Sequence, residues 1–192
     1  MPAGKLSNVI SAKPNIPAGG LLKGGPDTVP PTDAKSPLTG ASPLGFVTDK
    51  GVNIKPTVST TKKKAWGGSV IRVLTTDASA EMSFALAEFL SEDSLEAIYG
   101  EDNVTFTAAT ADHGNLVAVR FKGELPPVAP YFIEAKDGKQ RIRVYVPNFQ
   151  VTDQGDFAFD DNSTIDMDVK GEAYPDEDGV LFYIFTDDGA TV

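Results

Sequence analysis

Between Ala78 and Phe89 apolar and polar side chains alternate, with Ala80, Met82, Phe84 and Leu86 on one face and Ser79, Glu81, Ser83 and Ala85 on the other. A period of two belongs to a strand that buries one face, so this segment predicts a half-buried antiparallel strand. The same texture predicts strands over Val52 to Ser59 and Ser69 to Thr76, joined by a loop, Thr60 to Gly68, that carries Lys62, Lys63, Lys64 and Trp66. Further strands are expected over Val104 to Thr110, Asn115 to Lys122, Gln140 to Val146, Ser163 to Gly171 and Val180 to Thr186, separated by turn chemistry such as AKDGK and PDEDG. The last of them, VLFYIFT, is apolar on both faces, which predicts a central strand or one covered on both sides.

The period changes once, in LSEDSLEAIYG. Ser91 is placed to cap free N–H groups, Glu92 and Asp93 favour the positive end of a helix dipole, and Gly100 supplies a left-handed stop. Leu95, Ile98 and Tyr99 fall on one face, and Leu90 with Leu95 occupies the positions of a hydrophobic staple. A short helix over about 91–99 is expected to pack on the sheet.

Residues 1–43 have no sustained periodicity. Stretches such as PNIPAGG, GGPDTVPPTD and GASPLG read as an extended arm and entry loop. Their short apolar clusters, Asn15 to Leu22 and then Leu44 to Val47, are candidates for edge strands or for segments ordered by a partner. The organisation that follows is an arm over 1–43 and one β domain over 44–192. Many short strands with a single helix indicate an antiparallel β-sandwich or barrel.

Composition narrows the setting. A chain of 192 residues, 41% hydrophobic, supports one sizeable core and is short for two ordinary domains. It has no cysteine, which excludes disulfides, thiolate metal sites and a cysteine nucleophile. The first twenty residues lack the apolar stretch of a signal peptide, and no apolar run approaches membrane-spanning length. A soluble protein made in the cytoplasm is therefore expected. Asn-x-Ser/Thr triplets at Asn103 and Asn162 read as chance matches.

The formal net charge of −10 argues against general nucleic-acid binding, because phosphate would be repelled. Its distribution is uneven. Residues 1–64 hold nine lysines and three aspartates, a net +6; residues 65–149 hold seven basic and twelve acidic groups, a net −5; residues 150–192 hold one lysine and twelve acids, a net −11. Each cluster alone reads as a solvated face. Segregation along the whole chain would also let one end of a molecule attract the other end of its neighbour.

Chemistry adds little. His113, the one histidine, lies in the turn-like ADHGN without a nucleophile elbow, and the acidic DQGDFAFDDNSTIDMD lacks the spacing and glycine of a calcium loop. The glycine pairs at 19–20, 24–25 and 67–68 do not have the spacing of a phosphate-binding loop. No catalytic residue, metal site or cofactor is expected, and the chain does not read as an enzyme.

The order LGFVTDKGVNI (44–54), KKKAWGGSVIRV (62–73) and MSFALAEFLSEDSLEAIYGEDNVT (82–105), after GGLLKGGPDTVPPTDAKSPL, resembles the major tail tube proteins of long-tailed, siphovirus-type bacteriophages, notably those of actinobacteria. The shared pattern is a Leu-Gly-aromatic segment leading to an acidic-x-Gly turn, a Trp-Gly-Gly before a strand with an arginine, and a phenylalanine strand entering a helix that ends Tyr-Gly. It covers roughly residues 15–110; Ser91 stands where the family would have an asparagine cap.

The resemblance implies a β-sandwich assembled into hexameric rings stacked as a hollow tube through which the genome passes. Its partners would be further copies of itself, a tape measure protein, a tail terminator and distal tail or baseplate proteins. DNA would pass transiently without specific binding, nothing would insert in a membrane, and the virion tail would be its place. Assembly and loop-anchor positions under this reading are Gly45, Phe46, Gly51, Trp66, Gly67 and Gly68. Trp66 would anchor its loop on its own sandwich or on a neighbouring subunit. Glu81, Asp166 and Asp168 are candidate lumen carboxylates, with the tube exterior as the competing assignment. Lys62, Lys63 and Lys64, together with a stripe of Arg120, Lys122, Arg141 and Arg143 should their strands pair, are candidates for contact with an acidic neighbour or else for solvent. Two other readings stand beside the tube: another virion β-subunit, such as a capsid decoration or tail-completion protein, and a monomeric carbohydrate-binding module.

Overall fold

The structure, a computed structural model, describes residues 8–16 and 19–190. Eleven strands follow in chain order: β1 Lys13–Pro14, β2 Leu21–Gly24, β3 Ala41–Pro43, β4 Asn53–Lys64, β5 Val70–Leu86, β6 Val104–Thr107, β7 Leu116–Val119, β8 Ala129–Asp137, β9 Gln140–Asp153, β10 Met167–Tyr174 and β11 Tyr183–Asp187. The helix is α1, Glu92–Tyr99. Every pairing between these strands is antiparallel.

The main sheet runs β3-β2-β8-β9-β10-β5-β4, with β1 added beside β8 and β11 beside β9, while β6 and β7 form a separate hairpin. The sheet closes on itself through residues 41–48. After pairing with β2, this segment donates the Leu44 N–H to the Leu21 carbonyl (3.0 Å), then the Thr48 N–H to the Ala85 carbonyl (2.9 Å), and accepts from the Ala87 N–H at Phe46 (2.9 Å). It thereby ties the β2 edge to the end of β5. A closed sheet satisfies edge groups that would otherwise be left open.

The core confirms the closure. Phe84 of β5 lies three strands from Tyr131 of β8, about 14 Å along a flat sheet at ~4.8 Å per strand, yet their rings are 6.4 Å apart. The expected inward face of β5 is the observed one: Ala80, Met82, Phe84 and Leu86 are all buried. Met167 and Val169 of β10, Phe149 and Val151 of β9, and Leu21 of β2 complete the cluster.

Helix α1 covers this core with Leu95 and Ile98. Ser91 caps it as its sequence requires, the Ser94 N–H donating to Ser91 Oγ (3.4 Å), and Gly100 ends it at φ +87°. The buried Ser94 hydroxyl donates to the Leu44 carbonyl (3.0 Å), fixing the helix to the closing segment. The staple does not form, because Leu90 points to solvent while Leu95 is buried.

Several sequence expectations are corrected. Thr60 to Lys64 is strand, so the lysine-bearing loop shrinks to residues 65–69, and Ser69–Thr76 merges with Ala78–Leu86 into one strand of 17 residues. Strand β8, which the sequence reading leaves out, is central. VLFYIFT is not central: β11 pairs only with β9 and leaves Ile184 60% exposed. It shares the long β9 edge with β10, which takes residues 148–153 while β11 takes 141–145, so among the described residues no strand pairs with β11 on its far side.

The described part of the arm lies on the chain's own sheet rather than extending from it; residues 1–7 and 17–18 fall outside the described residues. Residues 25–40 lie against the outer face of β8 and β9, where Ala34 is buried and the Asp33 carbonyl accepts from Arg143 Nη1 (2.9 Å). Asp33 turns this loop by accepting from the Ser36 hydroxyl and from the N–H groups of Ser36 and Lys35, and those bonds hold its carboxyl down at about 2.

Candidate assembly interface

The β4–β5 pair leaves the barrel as a bare ribbon. Its root is the register Asn53↔Ser83 to Pro56↔Ala80; beyond it the pairing continues to Lys64↔Val70 with bulges at Ser59/Thr60 and Lys63/Lys64. Eight residues from Thr57 to Lys64 at ~3.3 Å each project about 26 Å. All eight are exposed, as are their partners except the half-buried Leu74 and Ser79. At the tip the Ala65 N–H donates to the Ser69 carbonyl (2.8 Å), and Gly67 and Gly68 take φ of +102° and +93°. Only glycine adopts two such values in succession without strain, which is what Trp-Gly-Gly encodes.

Trp66 sits on that tip, fully exposed, so it anchors nothing on its own sandwich. Val58, Val70, Ile71 and Val73 are also at least half exposed. A two-stranded ribbon is marginal in water, and contiguous apolar residues left in solvent mark an interaction surface. Lys62, Lys63, Lys64 and Arg72 give the ribbon a basic character.

The other expected positions divide. Gly45 and Phe46 belong to the closing segment: Gly45, at φ +83°, lies against the Glu88 carboxylate, which accepts the Phe46 N–H (2.8 Å). Gly51, at φ +67°, ends the next turn. Glu81 and Asp168 share the face of β5 and β10 opposite the core, Glu81 lying between Lys55 and Glu172 in the register and Asp168 pairing with Lys50 (3.3 Å). Asp166 precedes β10 and accepts from the Thr164 hydroxyl (2.9 Å). This face, with Asn53, Ser83, Lys170, Gln150 and Tyr174, is polar apart from the buried Ala85.

The basic stripe does not form. Arg120 follows β7 in the small hairpin, whereas Arg141 and Arg143 lie on β9 of the main sheet. Arg143 is spent inside its own chain: 3% exposed, it donates from Nε to Glu134 (2.6 Å) and reaches Asp33 as described. Arg141 donates to the Asn15 side chain (2.8 Å). A charged residue on an alternating strand reads as solvated, but the 25–40 loop covers this one.

One feature has no place in the sequence reading. Helix α1, strand β7 and residues 153–157 enclose an open groove of about 980 Å³, its floor apolar with Leu95, Tyr99, Val117 and Phe157. Leu90 (89% exposed) and Phe121 (70%) stand on its rim, and Phe159 beside Phe89 is 73% exposed. The FAF within DQGDFAFDDN supplies Phe157 and Phe159, but nothing in that stretch says which segments lie beside them.

A family model described as phage tail tube protein matches residues 16–192. The chain belongs to that family. Among solved structures, the anti-feeding prophage cap, a tube-terminating cap, is similar to this tail tube protein over 95% of the present chain and 98% of the other, at 12% identity and a TM-score of 0.46, too distant to bear on the argument. No curated protein matches the chain. Among the described residues of the tail tube protein no group of three acidic or histidine side chains is arranged to hold a metal, and no helix is long and apolar enough to cross a membrane.

Proposed function

We propose that this tail tube protein polymerises as hexameric rings stacked into the hollow tube of a long-tailed phage, the conduit for genome delivery. The observation that carries this reading is the exposed β4–β5 ribbon on a member of this family. A monomer gains nothing by holding a tryptophan at the tip of a ribbon some 26 Å long, with Val58, Val70, Ile71 and Val73 exposed along it. A polymer gains a bridge between successive subunits.

The polar face of β5 and β10 is the surface suited to the channel. Carboxylates such as Glu81, Asp168 and Glu172 repel phosphate, interspersed lysines keep the field moderate, and no apolar patch offers DNA a place to stall. The role is structural rather than catalytic. The tape measure protein, tail terminator and distal tail proteins are the partners, assembly takes place in the host cytoplasm, and the virion tail is the final location.

Sedimentation with negative-stain electron microscopy of purified protein tests this. Rings or tubes with a central channel are expected; a persistent monomer at every concentration, with tail partners added, refutes it.

A further inference from the structure

We propose that the apolar groove between α1, β7 and residues 153–157 is the receptor for the β4–β5 ribbon tip of a second copy of this chain, with Trp66 of one subunit entering the groove of the next. The inference rests on the assembly reading above and names both partners of its contact.

The two surfaces are complementary in size and in charge. The groove holds about 980 Å³ and opens to solvent, ample for an indole and the flanking turn. Its apolar floor and the rim residues Leu90 and Phe121 offer what an exposed indole lacks. Between Ser59 and Asp77 the ribbon carries Lys62, Lys63, Lys64 and Arg72 against a single acid, Asp77. Two acids, Asp153 and Asp156, line the groove and no basic residue does; Glu92, Asp93 and Glu96 belong to the same helix as its Leu95 and Tyr99, and Asp160 and Asp161 follow Phe159 in the chain.

Geometry excludes the same chain as donor, since Trp66 is fully exposed at the end of its own ribbon. An aromatic anchor entering an apolar pocket inside a charged rim is the arrangement that concentrates binding energy at an interface. The apolar contact would set how long subunits stay together, and the opposite charges would set how fast they meet and how steeply growth falls with salt.

Trp66 is the chain's one tryptophan and there is no cysteine, so the contact reports on itself. Indole emission is followed during assembly, with tubes counted in parallel by microscopy. The expected result is a solvated emission maximum in the monomer that moves to the blue as tubes form, and a slower rise at higher salt. A mixture of Trp66→Cys chains with Leu90→Cys chains should give the mixed disulfide under oxidation, and Leu90→Asp, at a site already in solvent, should leave the monomer folded while abolishing the blue shift. Tubes that form with Trp66 still showing solvated emission overturn the docking and leave the tube intact. A blue shift that survives Leu90→Asp, with no mixed disulfide, places Trp66 in another site and overturns it equally. Wild-type chain that never assembles refutes the tube and the docking together.

Discussion

Replacing Phe84 by alanine tests whether the barrel closes on the core described. Phe84 is 5% exposed, its ring lies 6.4 Å from Tyr131 and 6.5 Å from Phe149, and Val169 sits opposite it in the register. These neighbours come from β8, β9 and β10, all held by pairing on their own strands, so the site cannot collapse to fill the space. Truncating a buried phenylalanine in such a site costs about 3–5 kcal/mol. At roughly 2–4 °C per kcal/mol for a chain of this size, the melting temperature should fall by about 6–20 °C. The comparison is Glu81→Ala, three residues away on the polar face, where the lost side chain lies between Lys55 and Glu172 and the change should stay within about 0.5 kcal/mol. Thermal unfolding of both variants as monomers, followed by circular dichroism, measures the difference. Equal losses, or a Phe84→Ala cost below about 1 kcal/mol, would mean that the register of β5 or the closure of the sheet is wrong.

Arg143→Ala should cost about 3–5 kcal/mol by stranding Glu134, whereas the double change Arg143→Met with Glu134→Leu should recover most of it; urea unfolding of the two variants separates a buried pair from a surface one. Gly171→Ala should destabilise by more than 1 kcal/mol, because a Cβ there would collide with the Gln150 carbonyl and the Phe149 ring between two strands; a wild-type melting curve would contradict that packing. Asp33, held at about 2 against an ordinary 3.8, favours the native state above pH 4 and loses that contribution as the pH falls through about 2. Following the Lys35 and Ser36 amide resonances should give a midpoint near 2; a midpoint near 4 would mean that the turn is open.

Local rules carried part of this fold and tertiary structure carried the rest. The helix was legible because Ser91, the acidic first turn and Gly100 are signals confined to a dozen residues. The inward face of Ala80 to Leu86 was legible because a period of two admits only two choices, and one of them buries charge. Strand β8 was hidden by prolines: Pro130 falls where the register shifts between Ala129 and Tyr131, a place where a missing N–H is tolerated. The ribbon was hidden because three lysines between polar neighbours show no buried face, and the pairing of Lys62 to Lys64 with Val70 to Val73 is a backbone matter. Arg143 and the groove depend on which segments come to lie beside them, and no stretch of sequence states that.

The most direct test of the tube is a cryo-electron microscopy reconstruction of assembled wild-type protein. The account predicts six subunits per ring, a continuous channel lined by the face that carries Glu81 and Asp168, and each β4–β5 ribbon reaching into a neighbouring subunit. Stacked rings whose ribbons remain free in solvent, or a channel lined by any other face, would contradict it.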